Sequence, residues 1–514
     1  MKKYLIGIFA LALGIRLVYL LFFSSDRPVH IDEWSYYQLV NEFWLAGVDP
    51  DFVYHPPLYP HFMLAIFKAV GVSFIALQVI QSVLGALTAA LTVLIAQEIL
   101  ATKTLRHKEE CHPEFISGST GMLKQVRGVT FGVQHDKPEN LYAFIAGLIY
   151  AVSFRPIRMP AMLLSETLFT FLLVVAVWVF LKALKRLFIA KTPRAQSNNP
   201  QSPPLLRGIK GVVSVFIRVY LWFHSYSYWF LLVLAGLLFG LAALTRSIAL
   251  GLPFLLAIYL IIGKYRFTTK AQSSQRRIFD LLCVSAVKRF FPGLIFLLAF
   301  SLPLIPWVVR NYKITGKFMP GSASYGNTFF WHNTEPMWEP GSDYISDIKL
   351  EDFKRYSGRL GNQVPQEYYH PSIKQMHQLI EGKNMAGPLA QADFYFNYTK
   401  EHLKTLSFRQ IVKLELVKLY RLILPYHRYY NPFPDITFII TLVFFCIFMY
   451  YFWLRKISTG LMNEGITIFW ILIGYLLLTT LVFGGMPRYR DPYDPYIIIL
   501  AVIGAKELLN GLRG

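Results

Sequence analysis

Long apolar blocks run through most of this chain, broken by charged or proline-rich stretches. Each is near the ~20 residues an α-helix needs to cross the hydrocarbon core of a bilayer. Of the 514 residues, 54% are hydrophobic and only 16% charged, where a soluble domain carries about a quarter. Mean hydropathy is +0.41. The chain reads as an all-α polytopic membrane protein with about nine to twelve membrane helices.

The first block, Tyr4 to Phe23, follows Met1-Lys2-Lys3 and could pass for a secretory signal. It is longer than a signal core and no small-x-small cleavage site follows. It therefore reads as an uncleaved span with its N-terminus in the cytoplasm. Net charge is +21. The basic excess gathers in loops between spans, as the positive-inside rule expects, and not in a patch suited to nucleic acid. Lys182 to Arg218 holds eight Lys/Arg and no acid, and Lys264 to Arg289 holds seven Lys/Arg and one acid, so both are assigned to the cytoplasm. The loop from Ser24 to Pro57 is the reverse, with one Arg against six acids, and is assigned outside. Cys111, Cys283 and Cys446 lie far apart, without disulfide-framework or zinc-site spacing. A divalent metal is possible but not indicated, and no cofactor is expected.

The path along the chain gives spans at Tyr4–Phe23, Phe74–Leu100, Leu141–Phe154 and Leu163–Leu184. Two short spans follow within Trp229–Ile262, broken near Thr245-Arg246-Ser247. Then come Phe291–Val309, Ile436–Leu454, Ile466–Phe483 and Tyr496–Leu509. Leu58–Val70 is apolar but short, and the parity of the path favours either a partial or re-entrant element there or a further break inside Phe74–Leu100. Residues 101–140 and 191–211 have loop composition and read as cytoplasmic insertions. The organisation is thus an N-terminal membrane module at 1–309, an external and mostly helical segment at 310–434, and C-terminal membrane helices at 435–514. The end of the external segment, from Ala390 to Leu424, has helical periodicity and is expected to lie over the membrane surface.

Polar residues converge on the outer ends of these spans. They are Asp32 and Glu33 in the first loop, His55 before Pro56-Pro57, and Arg155, Arg158 and Glu166 in "RPIRMPAMLLSE". Arg246 in "LTRS", Arg310 and Asn311 in "PWVVRNY", and Arg488 and Tyr489 in "GGMPRYRDPY" complete the set. Ionisable groups at membrane depth are costly and mark functional sites. Each also has a plainer use. Asp32 suits a helix N-cap, His55 a surface position, Glu166 an ion pair with Arg158, and the arginines snorkelling to headgroups. The helix after Asp32 places Tyr36, Leu39, Val40 and Phe43 on one stripe, as an interfacial helix does. Adjacent helical residues point about 100° apart, so only one of Asp32 and Glu33 can face a reacting centre, and the other is left to orient it or bind backbone.

These pieces, in this order, resemble the polyprenyl-phosphate-dependent glycosyltransferases of GT-C fold, a group that includes protein O-mannosyltransferases and the aminoarabinose transferases of lipid A. The resemblance rests on Asp32-Glu33, His55-Pro56-Pro57-Leu58, Leu164-Ser165-Glu166-Thr167-Leu168, Gly240 to Arg246, Pro306 to Tyr312, and Arg488-Tyr489 with Pro492 and Pro495. It implies a GT-C-like bundle with interfacial helices in the first external loop, in the cytoplasmic (inner) membrane, with its active site on the external or periplasmic face. It implies Asp32 as catalytic base with Glu33 beside it. His55, Glu166 and the external arginines would bind the donor. The partners implied are a polyprenyl-phosphate-linked sugar, membrane lipid, and a hydroxyl acceptor on glycolipid, polysaccharide or protein Ser/Thr.

The chemistry suits such residues. The leaving group is a phosphate monoester, whose developing charge arginines can stabilise. The acceptor hydroxyl needs a base, and direct displacement inverts the anomeric centre. No Gly-rich phosphate loop for a nucleotide sugar is visible. The alternative is a transporter or flippase of lipid-linked sugars. That would place charges at the bilayer midplane on inverted repeats, whereas here they collect on one face and no repeat is visible.

Overall fold

The computed structural model describes residues 2–24, 31–45, 47, 53–110, 138–189, 227–262, 278–334, 379, 387–424, 435–454 and 464–513. The insertion at 191–211, positions 111–137 of the other insertion, and most of 335–386 in the external segment lie outside the described residues, as does the side chain of Phe43.

Every described element is helical. A backbone in lipid has no water to bond, so apolar blocks satisfy their own N–H and C=O groups as helix. The first elements are α1 (Lys2–Phe23), α2 (Ile31–Gln38), α3 (Leu58–Val70), α4 (Phe74–Glu110), α5 (Pro138–Val152), α6 (Phe154–Arg158) and α7 (Glu166–Ile189). Next come α8 (Ser227–Thr245), α9 (Leu252–Ile262), α10 (Ile278–Ser301) and α11 (Ile305–Thr315). The rest are α12 (Tyr325–Asn333), α13 (Gly387–Thr405), α14 (Phe408–Ile423), α15 (Ile436–Leu454), α16 (Glu464–Phe483), α17 (Pro487–Arg490) and α18 (Asp494–Arg513).

Among the described residues six helices are long and apolar enough to span a membrane, and seven if the bent pair Glu139–Val152 and Phe154–Ala161 counts as one. The expected nine to twelve are reached only by adding shorter apolar helices, at Leu58–Val70, Ser247–Ile262 and Ile436–Phe452. With 13 residues α3 is about 20 Å long, well short of a bilayer, as a partial element must be.

Most of the core is one continuous cluster, with two small satellites around Met319 and around Phe330. On α1, Ile8, Ala12, Arg16 and Leu20 are buried at four-residue spacing and form one inward stripe. Against it pack α4 and α5, and α7 packs on α4; together they supply Ala86, Ala89, Val93, Ala146, Leu173 and Phe180 to the same cluster. The break at Thr245-Arg246-Ser247 is present. Here α8 ends, Arg246 is extended at φ −146° and ψ 119°, and a short 3₁₀ turn leads into α9. Helices α13 and α14 meet at Ser407, whose hydroxyl accepts from Gln410 N–H while the Gln410 side chain caps back, a capping box.

One expectation is corrected. The stripe Tyr36, Leu39 and Val40 does not lie on lipid. These residues are buried in the protein, with Tyr36 and Val40 in the main core. The Tyr36 ring lies tilted 4.4 Å from the His55 ring and meets Tyr59 edge-on at 4.9 Å. After Gln38 the helix widens into a π-turn, Leu39–Trp44.

Candidate active site

Three chain turns meet at one end of the bundle. The turn after α6 is held from below by two glutamines of α4. Gln81 Nε2 donates to Pro160 O and Met162 O, both at 2.9 Å, and Gln78 Nε2 donates to Ala161 O at 2.9 Å. Tyr59 OH in turn donates to Gln81 Oε1 at 3.0 Å. From α2, the buried Glu33 Oε1 accepts Leu163 N–H at 3.0 Å. The turn is thereby fixed just before Glu166 opens α7.

The second turn is the α8 break, which projects Arg246. The third follows α16. Gly484 has φ +108°, a left-handed value glycine adopts at least cost. Pro487 then starts α17 and carries Arg488 and Tyr489 across the top.

These turns assemble a charge cluster. Arg488 Nη1 donates to Asp32 Oδ2 at 2.7 Å and stands 4.0 Å from Glu166 Oε1. Arg246 pairs with Glu166. Both guanidiniums lie 5.5 Å from the Tyr489 ring centroid, a cation–π arrangement that spaces two like charges over one ring. Side-chain exposure separates the acids: 36% for Asp32 and 3% for Glu166. The adjacent pair divides as helix geometry requires, with Glu33 bound to backbone and Asp32 at the open rim.

His55 flanks the cluster. The diproline that follows it blocks helix, and its Nε2 lies 2.8 Å from Ser35 Oγ. Burial pulls its imidazole down to about 4, with Arg246 adding to the effect and Asp32 opposing it. His55 is therefore a neutral hydrogen-bonding ring at physiological pH, not a cation. Burial, and then the Asp32 charge, push the Tyr54 phenol up, so it stays a hydroxyl.

The structure thus brings together Asp32, Glu166, Arg246, Arg488 and Tyr489, with Glu33 and His55 at the edge. Three others take different contacts. Asn311 is fully buried and donates from Nδ2 to Met319 O at 2.9 Å, shaping the turn after α11. Arg310 lies over the Trp307 ring at 5.0 Å. The charge of Arg158 acts on Tyr19 of α1, and the carboxylate that sequence proximity offered to Arg158 is engaged by Arg246 instead.

Sequence reading missed several supporting groups. Gln78 and Gln81 are both fully buried inside an apolar span, and that position was their signal. His332 is buried 6.0 Å from Tyr489, and nothing in its local pattern marks it. Arg155, a candidate in the same motif as Arg158, instead forms a bidentate pair with Asp491, at 2.7 and 2.8 Å. Among the described residues no group of three or more His, Cys, Asp or Glu side chains is placed to hold a metal ion.

No protein-family model matches the chain, and no curated protein matches it. Solved structures of GT-C fold do. The chain is similar to the Archaeoglobus fulgidus oligosaccharyltransferase in the apo form, at 12% identity and TM-score 0.46, over 99% of this chain and 51% of that one. It is similar to the oligosaccharyltransferase AglB of the same organism in complex with an inhibitory peptide and a dolichol-phosphate, at 11% identity and TM-score 0.44, over 99% and 51%. It is also similar to ArnT from Cupriavidus metallidurans bound to undecaprenyl phosphate, at 12% identity and TM-score 0.34, over 99% and 79%. The chain spans about half the length of the oligosaccharyltransferases it matches.

Proposed function

We propose that this chain is a membrane glycosyltransferase that moves a sugar from a polyprenyl-phosphate donor to a hydroxyl acceptor. The observation that carries the reading is one contact: Asp32, the exposed acid of the cluster, bound 2.7 Å from Arg488 beside a second arginine. The two non-bridging oxygens of the donor's phosphodiester make a better bidentate partner for a guanidinium than a single carboxylate oxygen, and the departing monoester carries more charge still. The donor phosphate therefore takes Arg488 from Asp32 and leaves that carboxylate free as a base.

The acceptor oxygen then attacks the anomeric carbon. Its proton passes to Asp32, the carbon–oxygen bond to phosphate breaks, and polyprenyl phosphate departs with its charge held by Arg488 and Arg246. One displacement without a covalent intermediate inverts the anomeric centre. Glu166 keeps Arg246 aimed at the phosphate. The neutral His55 ring offers a hydrogen bond and no charge. The acceptor, whether glycolipid, polysaccharide or protein Ser/Thr, enters from the open side of Asp32.

The test uses the full chain in nanodiscs with undecaprenyl-phosphate mannose carrying a labelled sugar, incubated with an envelope extract as acceptor. Transfer of label to a non-lipid or glycolipid product, with release of undecaprenyl phosphate, is expected. Translocation of the intact lipid-linked sugar with no release of lipid phosphate would overturn the reading in favour of a transporter.

A further inference from the structure

The external helix α14 has two apolar faces. One is turned to the protein: Leu414, Val417, Lys418, Arg421 and Leu422 are buried. The opposite face is exposed, with Phe408 at 79%, Leu416 at 60% and Val412 at 38%. Residues four apart advance about 40° around a helix, so Phe408, Val412, Leu416 and Tyr420 make one continuous stripe, with Ile423 inside the same arc. A water-facing helix of 16 residues would not carry such a stripe along its whole length. Scattered exposed apolar residues are ordinary, but a contiguous patch marks a contact surface.

Two observations say what covers it. The first is its place beside the end of a spanning helix. Through Lys418 Nζ, which donates to Leu481 O at 2.6 Å, α14 is joined to the last turns of the spanning helix α16. Those turns also expose apolar side chains, namely Leu477, Leu478, Leu481 and Val482. The charges beside the stripe fit a headgroup zone. Arg409 and Lys413 are exposed on its border, while the one acid of the helix, Glu415, is engaged by Lys418 at 2.8 Å. An apolar stripe edged by cations is the pattern of a helix seated at a bilayer interface, with apolar side chains among acyl chains and cations at phosphates.

We infer that α14 is embedded in the leaflet on the site's side of the bilayer. Its partner is lipid, with phosphate headgroups at Arg409 and Lys413. This goes beyond the proposed reaction and holds whether or not the chain transfers a sugar. It also gives the arginine turn a lipid-anchored wall. Besides Leu481 O, Lys418 Nζ donates to Asn333 Oδ1 at 2.7 Å, and Arg490 Nη1 donates to Leu422 O at 3.1 Å. Both contacts come from the inner face of the lipid-seated helix.

The test is depth measurement by nitroxide labels on the full chain in nanodiscs of phosphatidylethanolamine and phosphatidylglycerol. The native cysteines are replaced, and single labels are placed through Val412→Cys, Leu416→Cys and Gln410→Cys. All three positions are exposed, so the labels clear the core; Gln410→Cys gives up only the capping box at the start of α14. At 412 and 416 collision with oxygen should exceed collision with a water-soluble nickel chelate, and at 410 the order should reverse. Nickel dominating at all three sites would put the helix in water and overturn the inference. Shielding of 412 and 416 from both colliders would mean a protein partner covers the stripe, and would overturn it too.

Discussion

Asp32→Asn separates the base from everything else at the site. The carboxylate is 36% exposed and bound to one arginine. Exposed ion pairs contribute about 0–1 kcal/mol to stability, so the thermal midpoint in detergent should barely move. Asparagine keeps the shape but cannot accept a proton. Loss of a general base costs about 10²–10⁴ in rate, equivalent to about 2.7–5.5 kcal/mol of transition-state stabilisation. Donor binding should go the other way. In the resting site the phosphate must displace Asp32 from Arg488, and the amide is a weaker competitor. Undecaprenyl phosphate should therefore bind the variant as tightly as the parent, or more tightly. Single-turnover transfer and lipid-phosphate binding on the same preparation read the two effects. A variant that keeps full transfer would show Asp32 is not the base. A variant that loses donor binding would show Asp32 helps hold the phosphate instead.

Three further outcomes follow from the neighbouring geometry. Arg155→Met alone should destabilise the fold by about 3–5 kcal/mol, because it strands a buried acid; adding Asp491→Leu should restore most of the loss in thermal unfolding. Stability should fall between pH 6.5 and 4, because His55 is held at about 4 in the fold against an ordinary 6.5. The unfolded chain takes up a proton there that the folded chain refuses, so stability present above 6.5 is lost as the pH drops, by at most about 3 kcal/mol, and His55→Gln should flatten that slope in a pH series of thermal midpoints. Gly484→Ala should cost about 1–3 kcal/mol from its φ of +108°, and should weaken undecaprenyl phosphate binding, because the new Cβ would run into the His332 ring that neighbours Tyr489.

Much of this arrangement was legible in the chain. Blocks of apolar residues fixed the helices, and Thr245-Arg246-Ser247 marked the break that projects Arg246. The angle between neighbours on a helix separated Asp32 from Glu33. What stayed hidden has physical reasons. A stripe such as Tyr36, Leu39 and Val40 looks the same whether lipid or protein covers it, since lipid tails are as apolar as leucine. The pairing of Glu166 with Arg246 over Arg158, and of Arg155 with Asp491, joins residues far apart in sequence. Such choices depend on how helices stack, which local pattern does not carry. The spans that fell short of bilayer length did so because apolar runs predict burial better than they predict crossing.

The bonds from Lys418 to Leu481 O and from Arg490 to Leu422 O bear on how proteins of this kind can be recombined. The segment at 310–434 is an obvious unit to exchange between homologues, since long apolar helices bound it. Here its last helix is stitched to the very turn that presents Arg488. A chimera that imports a foreign 408–423 while keeping the native 481–490 would mismatch both stitches and misaim the arginine. Grafted specificity should therefore survive only when the two stretches travel together, although more than fifty residues separate them in the chain.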